Sequence, residues 1–276
     1  MPVISTNIAA NTALRYLNQN QEMQSESLAK LASGSRIQQA SDDASGLAVG
    51  TKLSADIAVL EQASVNVQHG EAVLQTADGG LARIADVLQR LKSLASQSLS
   101  GAVSDNERAY IDQEYQLLVQ EIDDIATQTR FNGEALLDNS GQFGVLAGGV
   151  NFLVGTDATD TINVTLADVT SATLGLATGV GTAANANTAL AEIDAAINTV
   201  SAERATVGAN LSRFGYRGDV IDTSLENLDA ARSSILDADI AEEQTTYTNA
   251  QVLTDAAISA LASANDMNKK LLQVLQ

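Results

Sequence analysis

The chain has 276 residues, of which 45% are hydrophobic, but aromatic residues make up only 3% and tryptophan is absent, which favours close packing of aliphatic helices over a core built on aromatic rings. The net charge of −19 opposes binding to nucleic acid or to an anionic membrane surface. The absence of cysteine excludes disulfides and thiolate chemistry, and the single proline, Pro2, leaves the rest of the chain free to form long helices.

The N-terminal region has the spacing of an amphipathic helix, with steps of four and three residues along one face. Two glutamines on this face are expected to set register and partner choice. The first residues lack the regions of a cleaved signal sequence, and no apolar run in the chain reaches the roughly 18 residues of a membrane span, so we expect neither a leader nor membrane insertion. This N-terminal stripe comprises Ala10, Leu14, Leu17, Gln21, Gln24, Leu28 and Leu31.

The stretch LASGSRIQQASDDASGLAVG, residues 31–50, separates two helical patterns and has the glycine- and serine-rich composition of either a catalytic loop or a helix connection. Gly34 is expected to end the first helix in a left-handed conformation. Ser41 or Asp42 is expected to cap the second helix, with Asp43 in its first turn. The pattern predicts a hinge between two helices.

Residues 42–99 are predicted to form one long helical region, whose apolar stripe changes phase near Gly79 and Gly80. Another helix is predicted over about 105–128, with Ser104 or Asp105 as its N-cap. The stripes of the long region comprise Ile57, Leu60, Ser64, Val67 and Leu74, and then Leu81, Ile84, Leu88, Leu91 and Ala95.

The middle of the chain has a different composition, because residues 141–181 hold eight of the 19 glycines. Alternating apolar residues over 150–154 and 162–166, joined by the turn sequence GTDATD, predict a β-hairpin. The Thr-, Ala-, Gly- and Asn-rich stretch that continues to about residue 188 is predicted to be a surface loop or mobile linker.

The C-terminal third carries the strongest periodicity. Steps of three and four from Leu190 to Ile235 predict a coiled coil of more than six heptads, in which Arg204, Gly218 and Arg232 are expected to mark breaks or polar layers. The terminal stripes lack a large core of their own, so we expect them to pair antiparallel and to order by assembling with copies of the same chain into an open filament. The C-terminal stripe comprises Ala250, Leu253, Ala257, Ala260, Ala264, Met267, Leu271 and Val274.

The predicted fold class is therefore mainly α: a long antiparallel coiled coil or helical bundle built from both chain ends, with a small β-hairpin-containing middle. We expect three regions. Residues 1–40 with 240–276 form terminal helices, residues 41–140 with 186–239 form an outer helical bundle, and residues 141–185 form a short variable segment.

Motifs for catalysis or ligand binding are incomplete. Ser27 to Lys30 matches S-x-x-K and Ser104 to Asn106 matches S-D-N, but K-T-G is absent. His69 is the only histidine, which is too few for a histidine-based triad or zinc site. The acids of 237–243 lack the glycine of a calcium-binding turn, and Gly179-Val-Gly181 lacks a dinucleotide loop's third glycine. We predict no catalytic, cofactor or metal site, and no enzyme activity.

Several ordered motifs resemble those of bacterial flagellins. Residues 31–49 are similar to the family's N-terminal signature, and Ile4 to Asn7 is similar to its opening residues. The resemblance covers about residues 1–140 and 185–276 and leaves out the middle, which varies within the family. Further matches are Gln62-Ala63, Asn66, Gln75-Thr76-Ala77, Leu88-Gln89-Arg90, Thr129 to Gly133, Arg204-Ala205, Gly208-Ala209, Glu226-Asn227-Leu228 and Ile235 to Asp239.

The resemblance implies a structural subunit of the flagellar filament that polymerises with copies of itself. In that family the terminal helices form an inner tube, the long helices an outer tube, and the variable middle faces outward. The resemblance also implies export, without a cleaved signal, through the flagellar type III apparatus, a dedicated export chaperone, and contacts with the filament cap and hook–filament junction proteins. Gly34, Arg36, Asp42 and Asp43 would then fix contacts within and between subunits.

Some flagellins are recognised by an animal innate receptor through the pattern Q-R-x-R-E-L-A-V-Q. The corresponding residues 89–97 read QRLKSLASQ, so Gln89, Arg90 and Leu94, with Glu114, fit this surface. Ser93 and Ser96 depart from the pattern and weaken this expectation.

Two other functions remain open on the residues alone. A hook–filament junction protein shares the terminal signatures but caps one short layer. A surface-displayed binding protein would use the Thr-rich middle for a glycan or host ligand. Deletion of residues 167–185 would leave filaments intact if the chain is a filament subunit, but would abolish activity if it is such a binding protein. Hydroxyl groups of the middle segment could also carry O-linked sugars.

Overall fold

The computed structural model describes residues 7–274, except for the side chains of Asn268 and of residues 271–274. The predicted mainly α fold is confirmed: α1 spans Ile8–Ser33, α2 Ala44–Leu99, α3 Asp105–Gln128, α4 Ala183–Leu236 and α5 Ile240–Val274. The short strands are β1 Arg130–Phe131, β2 Glu134–Ala135, β3 Val150–Leu153 and β4 Thr161–Val164. Within the described residues, no helix combines the length and apolarity needed to cross a membrane.

The chain divides into two compact units. Unit 1 comprises Met1–Ala55 with Asn227–Gln276, and unit 2 comprises Asp56–Glu226. The boundaries fall inside α2 and α4, so they do not coincide with the ends of helices.

The core of unit 2 is built on α2, as its sequence pattern predicts. The second stripe is fully buried over its whole length, and the apolar members of the first are nearly so. The helix continues without interruption through Gly79 and Gly80. Gly80 lies directly against Thr129 and Leu137, so the missing side chain lets the chain beyond α3 approach the helix closely.

Helix α3 has the predicted bounds and the predicted cap. The Ser104 hydroxyl accepts the N–H of Glu107, and the Glu107 carboxylate accepts the N–H of Ser104 at 2.7 Å, which forms a complete capping box. The backbone N–H of Ser104, and then its hydroxyl, lower the pKa of the Glu107 carboxyl.

Two antiparallel hairpins follow α3. The predicted hairpin is confirmed as β3–β4, in which Val150 faces Val164. The smaller hairpin β1–β2, in which Arg130 faces Ala135, was not anticipated. Asn132-Gly133 forms its two-residue turn, and this dipeptide is the sequence signal that could have predicted it.

The stretch after β4 forms no helix or strand before α4, which fits the predicted surface loop, whereas the alternative of a mobile linker is wrong. Residues 167–182, here called the strap, lie on the helices of unit 2, and α4 already begins at Ala183. Val169 and Val180 are fully buried, and Leu174 and Leu176 are nearly so. These four side chains of the strap are therefore part of the core of unit 2.

Helix carboxylates hold the strap in place by accepting its backbone N–H groups. On α3, Asp123 accepts the N–H and the hydroxyl of Ser171, both at 2.7 Å, and Asp112 accepts the N–H of Val180 at 2.6 Å. On α4, Glu192 accepts Thr178 N–H and hydroxyl, and Glu203 accepts Ala167 N–H. These bonds satisfy backbone donors that a segment without secondary structure would otherwise bury unpaired.

Helix α4 runs without a break through Arg204, Gly218 and Arg232, which were predicted to mark breaks or polar layers, so the alternative of breaks is wrong. Arg204 is half-exposed and donates to Asp78 at 2.9 Å on α2, so it pairs two helices instead of ending one. Phe214 packs against Gly70 and meets the ring of Phe152 edge-on at a centroid distance of 5.6 Å.

Tyr115 on α3 is fully buried, and its hydroxyl has no hydrogen-bond partner among the described residues. We expect Tyr115→Phe to raise the free energy of unfolding by about 1 kcal/mol at pH 7, because the substitution removes a buried unpaired hydroxyl. Urea unfolding of this variant measures the change, and the exposed Tyr110→Phe serves as the control. A less stable Tyr115→Phe protein at pH 7 would contradict the expectation.

The Tyr115→Phe substitution should also make the free energy of unfolding less dependent on pH in the alkaline range. Burial, with smaller contributions from Glu192 and Asp112, raises the pKa of Tyr115 from 10.0 to about 12. The unfolded chain therefore loses this proton first, and the stability present below pH 10 is lost as the pH rises towards 12. Between pH 10 and pH 12, the free energy of unfolding should therefore fall less for Tyr115→Phe than for the parent chain.

Candidate assembly surface

The two terminal helices form an antiparallel pair in unit 1. The Asn7 side chain at the start of α1 donates to the Ala264 carbonyl near the end of α5 at 3.1 Å. At the other end of the pair, the Ser27 hydroxyl donates to Glu243 at 3.2 Å. Most of the stability of helices in proteins comes from packing against other segments, so the pairing supplies much of the order of α1 and α5.

The buried side of this pair carries small and polar residues. Asn20 and Ser27 are the buried residues of α1, and Ala250, Thr254 and Ala257 are those of α5 among the described side chains. Small side chains let the helices approach closely but leave little apolar area between them.

Part of the predicted N-terminal stripe lies on the buried face of α1, and the rest lies one position away from it. Leu14 is 45% exposed and Leu28 54% exposed, whereas Leu17 and Leu31 are half-buried. On α5, Ala257 is buried and Ala264 half-buried, but Leu253 is 49% exposed and Met267 is 64% exposed. The side chains of Leu271 and Val274 lie outside the described residues.

An apolar groove runs between α1 and α5, with a volume of about 510 Å³. The Tyr16 ring and Leu253 stand at its sides, and both are largely exposed in the single chain. Further apolar side chains are exposed around the pair. These are Ile8, Val252 and Ile258. The helix pair thus leaves more large apolar groups outside than inside, which is unusual for a surface in contact with water.

The predicted hinge is tied by main-chain hydrogen bonds. Gly34 ends α1 with a left-handed φ of 70°, as expected. Beyond it, the Arg36 N–H donates to the Leu236 carbonyl at 2.6 Å, and the Ala238 N–H donates to the Gly34 carbonyl at 3.0 Å. The Arg36 guanidinium also donates to the Ile235 carbonyl at 2.6 Å. The connection between α1 and α2 is therefore hydrogen-bonded to the connection between α4 and α5.

The aspartate pair acts within its own chain. Asp43 caps α2 by accepting the N–H groups of Ser45 and Gly46, whereas Asp42 accepts those of Gln38 and Gln39 in the preceding turn. The expected cap was Ser41 or Asp42, so the cap lies further along the chain than predicted. These backbone hydrogen bonds lower the pKa of both carboxyls.

A charged cluster lies beside this connection. Lys30 bridges Glu26 at 2.9 Å and Glu243 at 3.3 Å, and both Lys30 and Glu243 are largely shielded from solvent. The hydrogen bond to Glu26 is the main cause that raises the pKa of the Lys30 ammonium, and Glu243 adds to it against the effect of partial burial. Ser27 and Lys30, the residues that match S-x-x-K, thus belong to a structural network of polar contacts that joins α1 to α5.

The residues that fit the receptor pattern are only partly at the surface. Arg90 on α2 donates to Glu114 on α3 at 2.6 Å, and about half of each side chain is exposed. Gln89 is also exposed. Leu94 is 1% exposed, so its assignment to that surface is corrected: it belongs to the core of unit 2.

Family models match most of the chain. The bacterial flagellin N-terminal helical region matches residues 4–142, and the bacterial flagellin C-terminal helical region matches residues 190–275. The chain belongs to the bacterial flagellin family. Its two matched regions contain all of α1, α2, α3 and α5 and nearly all of α4, and they leave out the strap.

Individual flagellins match over nearly the full length. Flagellin FlaB1 of Treponema pallidum is 36% identical over 287 residues, with 99% of this chain and 100% of that protein covered. The flagellar filament 30.7 kDa core protein of Treponema maltophilum is 35% identical, with 99% of each covered. The crystal structure of Bacillus cereus flagellin has a TM-score of 0.52 and 31% identity, covering 61% of this chain and 94% of that one.

Proposed function

We propose that the α1–α5 pair is the surface through which this flagellin assembles. The chain is a structural subunit of the bacterial flagellar filament. The observation that supports this surface is the exposed apolar groove with Tyr16 and Leu253 at its sides. Apolar surface of this kind gains roughly 25 cal/mol per Å² when it is covered, and the gain recurs in every subunit of a polymer. A contact between two different surfaces of identical copies gives an open filament.

The regions of the chain then take different places in the filament. Residues 1–40 with 240–276 form its inner core, and residues 41–140 with 186–239 form the outer helical bundle. Residues 141–185 face outward, although the buried side of the strap keeps this segment attached to unit 2.

As a structural subunit, the chain needs no cofactor and no catalytic site to form the polymer. The subunit is extracellular and leaves the cell through the flagellar type III apparatus with the help of an export chaperone. The filament cap and the hook–filament junction proteins are its partners at the two ends of the polymer. On the bundle, Gln89, Arg90 and Glu114 form the part of the receptor-type pattern that a ligand could reach.

Seeded growth tests the proposal. Purified chain is added to short fragments of its own filaments, and polymer length is followed by electron microscopy. Filaments should elongate until the monomer is exhausted. A hook–filament junction protein would add one layer and stop, and a binding protein that uses only its middle segment would not elongate the fragments.

A further inference from the structure

The turn of hairpin β1–β2 consists of Asn132 and Gly133, the only Asn-Gly dipeptide in the chain. Both residues are exposed and have positive φ angles, 51° and 85°. A side chain added at Gly133 would meet nothing within 4 Å. Neither the Asn132 amide nor the Gly133 N–H has a hydrogen-bond partner among the described residues.

These features suit one uncatalysed reaction. We propose that Asn132 is a deamidation site of this flagellin, at which the filament subunit ages chemically. The deprotonated Gly133 nitrogen attacks Cγ of Asn132, a C–N bond forms, the bond from Cγ to Nδ2 breaks, and ammonia leaves. Water then opens the resulting succinimide, so the net change is amide plus water to carboxylate plus ammonia.

A second asparagine shows why the site is selective. Asn139 also has a left-handed φ, 57°, but its side-chain oxygen accepts the N–H of Leu146 at 3.3 Å. The residue after it, Ser140, carries a side chain that hinders attack by its own backbone nitrogen. At Asn132 neither restraint exists, because glycine leaves the nitrogen open.

The two products differ in their effect on the fold. Opening of the succinimide at Cγ gives an ordinary aspartate, and Asp-Gly suits the same turn. Opening at the main-chain carbonyl gives isoaspartate, which routes the backbone through the former side chain and adds one methylene to it. The turn then no longer fits the pairing of Phe131 with Glu134, and strain reaches the buried Leu136 and Leu137.

The test follows assembled filaments and free full-length chain during incubation in mildly alkaline buffer. The long interval without Lys or Arg from 131 to 203 puts Asn132 and Asn139 in one tryptic peptide, so cleavage after Glu134 is used to separate them. Mass spectrometry quantifies conversion at each asparagine, and fragmentation distinguishes aspartate from isoaspartate. Asn132 should convert roughly tenfold faster than Asn139, because only Asn132 precedes a glycine.

Two variants connect the chemistry to the fold. Asn132→Gly keeps a turn of the same type but has no amide, and Asn132→Asp carries the charge without the extra methylene. After equal incubation, the parent chain should show a lowered urea midpoint in its isoaspartate fraction, while Asn132→Gly should not change. The proposal would be overturned if Asn132 converted no faster than Asn139, or if the urea midpoint of Asn132→Gly fell as much as that of the parent chain.

Discussion

Replacement of Leu253 by aspartate is expected to abolish filament growth and to leave the single chain folded. Leu253 is half-exposed beside the groove, so a carboxylate there remains hydrated in the monomer. If a second copy covers the groove, the same carboxylate loses its water in every subunit of the polymer. Burial of an unpaired charge costs several kcal/mol, and each 1.4 kcal/mol is about tenfold in concentration, so the critical concentration should rise roughly 100-fold or more.

The measurement is the protein left in the supernatant after seeded polymerisation and sedimentation. Gln251→Asp adds the same charge to the same helix at an exposed polar position and should assemble close to the parent level. Far-UV circular dichroism of both monomers checks that α5 persists. If Leu253→Asp assembles at the same concentration as Gln251→Asp, the groove is not covered in the filament, and the filament function would have to use another surface.

Deletion of residues 167–182 is expected to unfold unit 2, not to leave a functional filament with a shorter surface loop. The strap buries four aliphatic side chains, each worth about 1.5–3 kcal/mol, and carries hydrogen bonds from several helices. The sum approaches the total stability of an ordinary domain, about 5–15 kcal/mol. The deletion therefore cannot separate a binding role of the middle from a structural one.

Adjacent point substitutions make that separation. Leu176 is buried and Ala177 is exposed, so Leu176→Asp and Ala177→Asp place the same charge on opposite sides of the strap. We expect Leu176→Asp to lower the free energy of unfolding by about 3 kcal/mol or more, because a buried leucine is lost and a charge is buried. Ala177→Asp should stay within about 0.5 kcal/mol of the parent chain.

Urea unfolding monitored by circular dichroism gives both values. Ala177→Asp then becomes the useful variant for function, since it changes the outward face of the strap without disturbing the core. Equal stability of the two variants would mean that the strap does not pack as the structure shows.

Local patterns were enough to predict most of the helices. The bounds of α3 follow from its periodicity and from Ser104, because a cap and a first turn involve only neighbouring residues. The alternation over 150–154 and 162–166 likewise predicts β3–β4, because cross-strand partners in a hairpin are close in sequence. The family motifs lie in the helices and in the short connections next to them, and they lead from the sequence to filament assembly as the function.

The packing of the strap could not be predicted from local sequence patterns. Its composition of small and hydroxyl residues has no period, and the carboxylates that hold it lie on helices up to 68 residues away. The face of α1 that contacts α5 was also displaced by one position, Asn20 and Ser27 in place of Gln21 and Leu28. A helix with apolar groups on several sides does not specify which side meets its partner.

The sequence by itself determined which segments are helical, the bounds of α3, that the chain ends pair, and that the protein is a flagellin, since these depend on short-range periodicity, caps and motifs. Only the tertiary structure decided that the strap is core, that Leu94 is buried, and that Tyr16 and Leu253 remain outside the helix pair. The physical reason is that burial is a property of packing between distant segments. A stripe of apolar residues predicts that another surface covers it, but only the folded chain shows which of its side chains remain exposed.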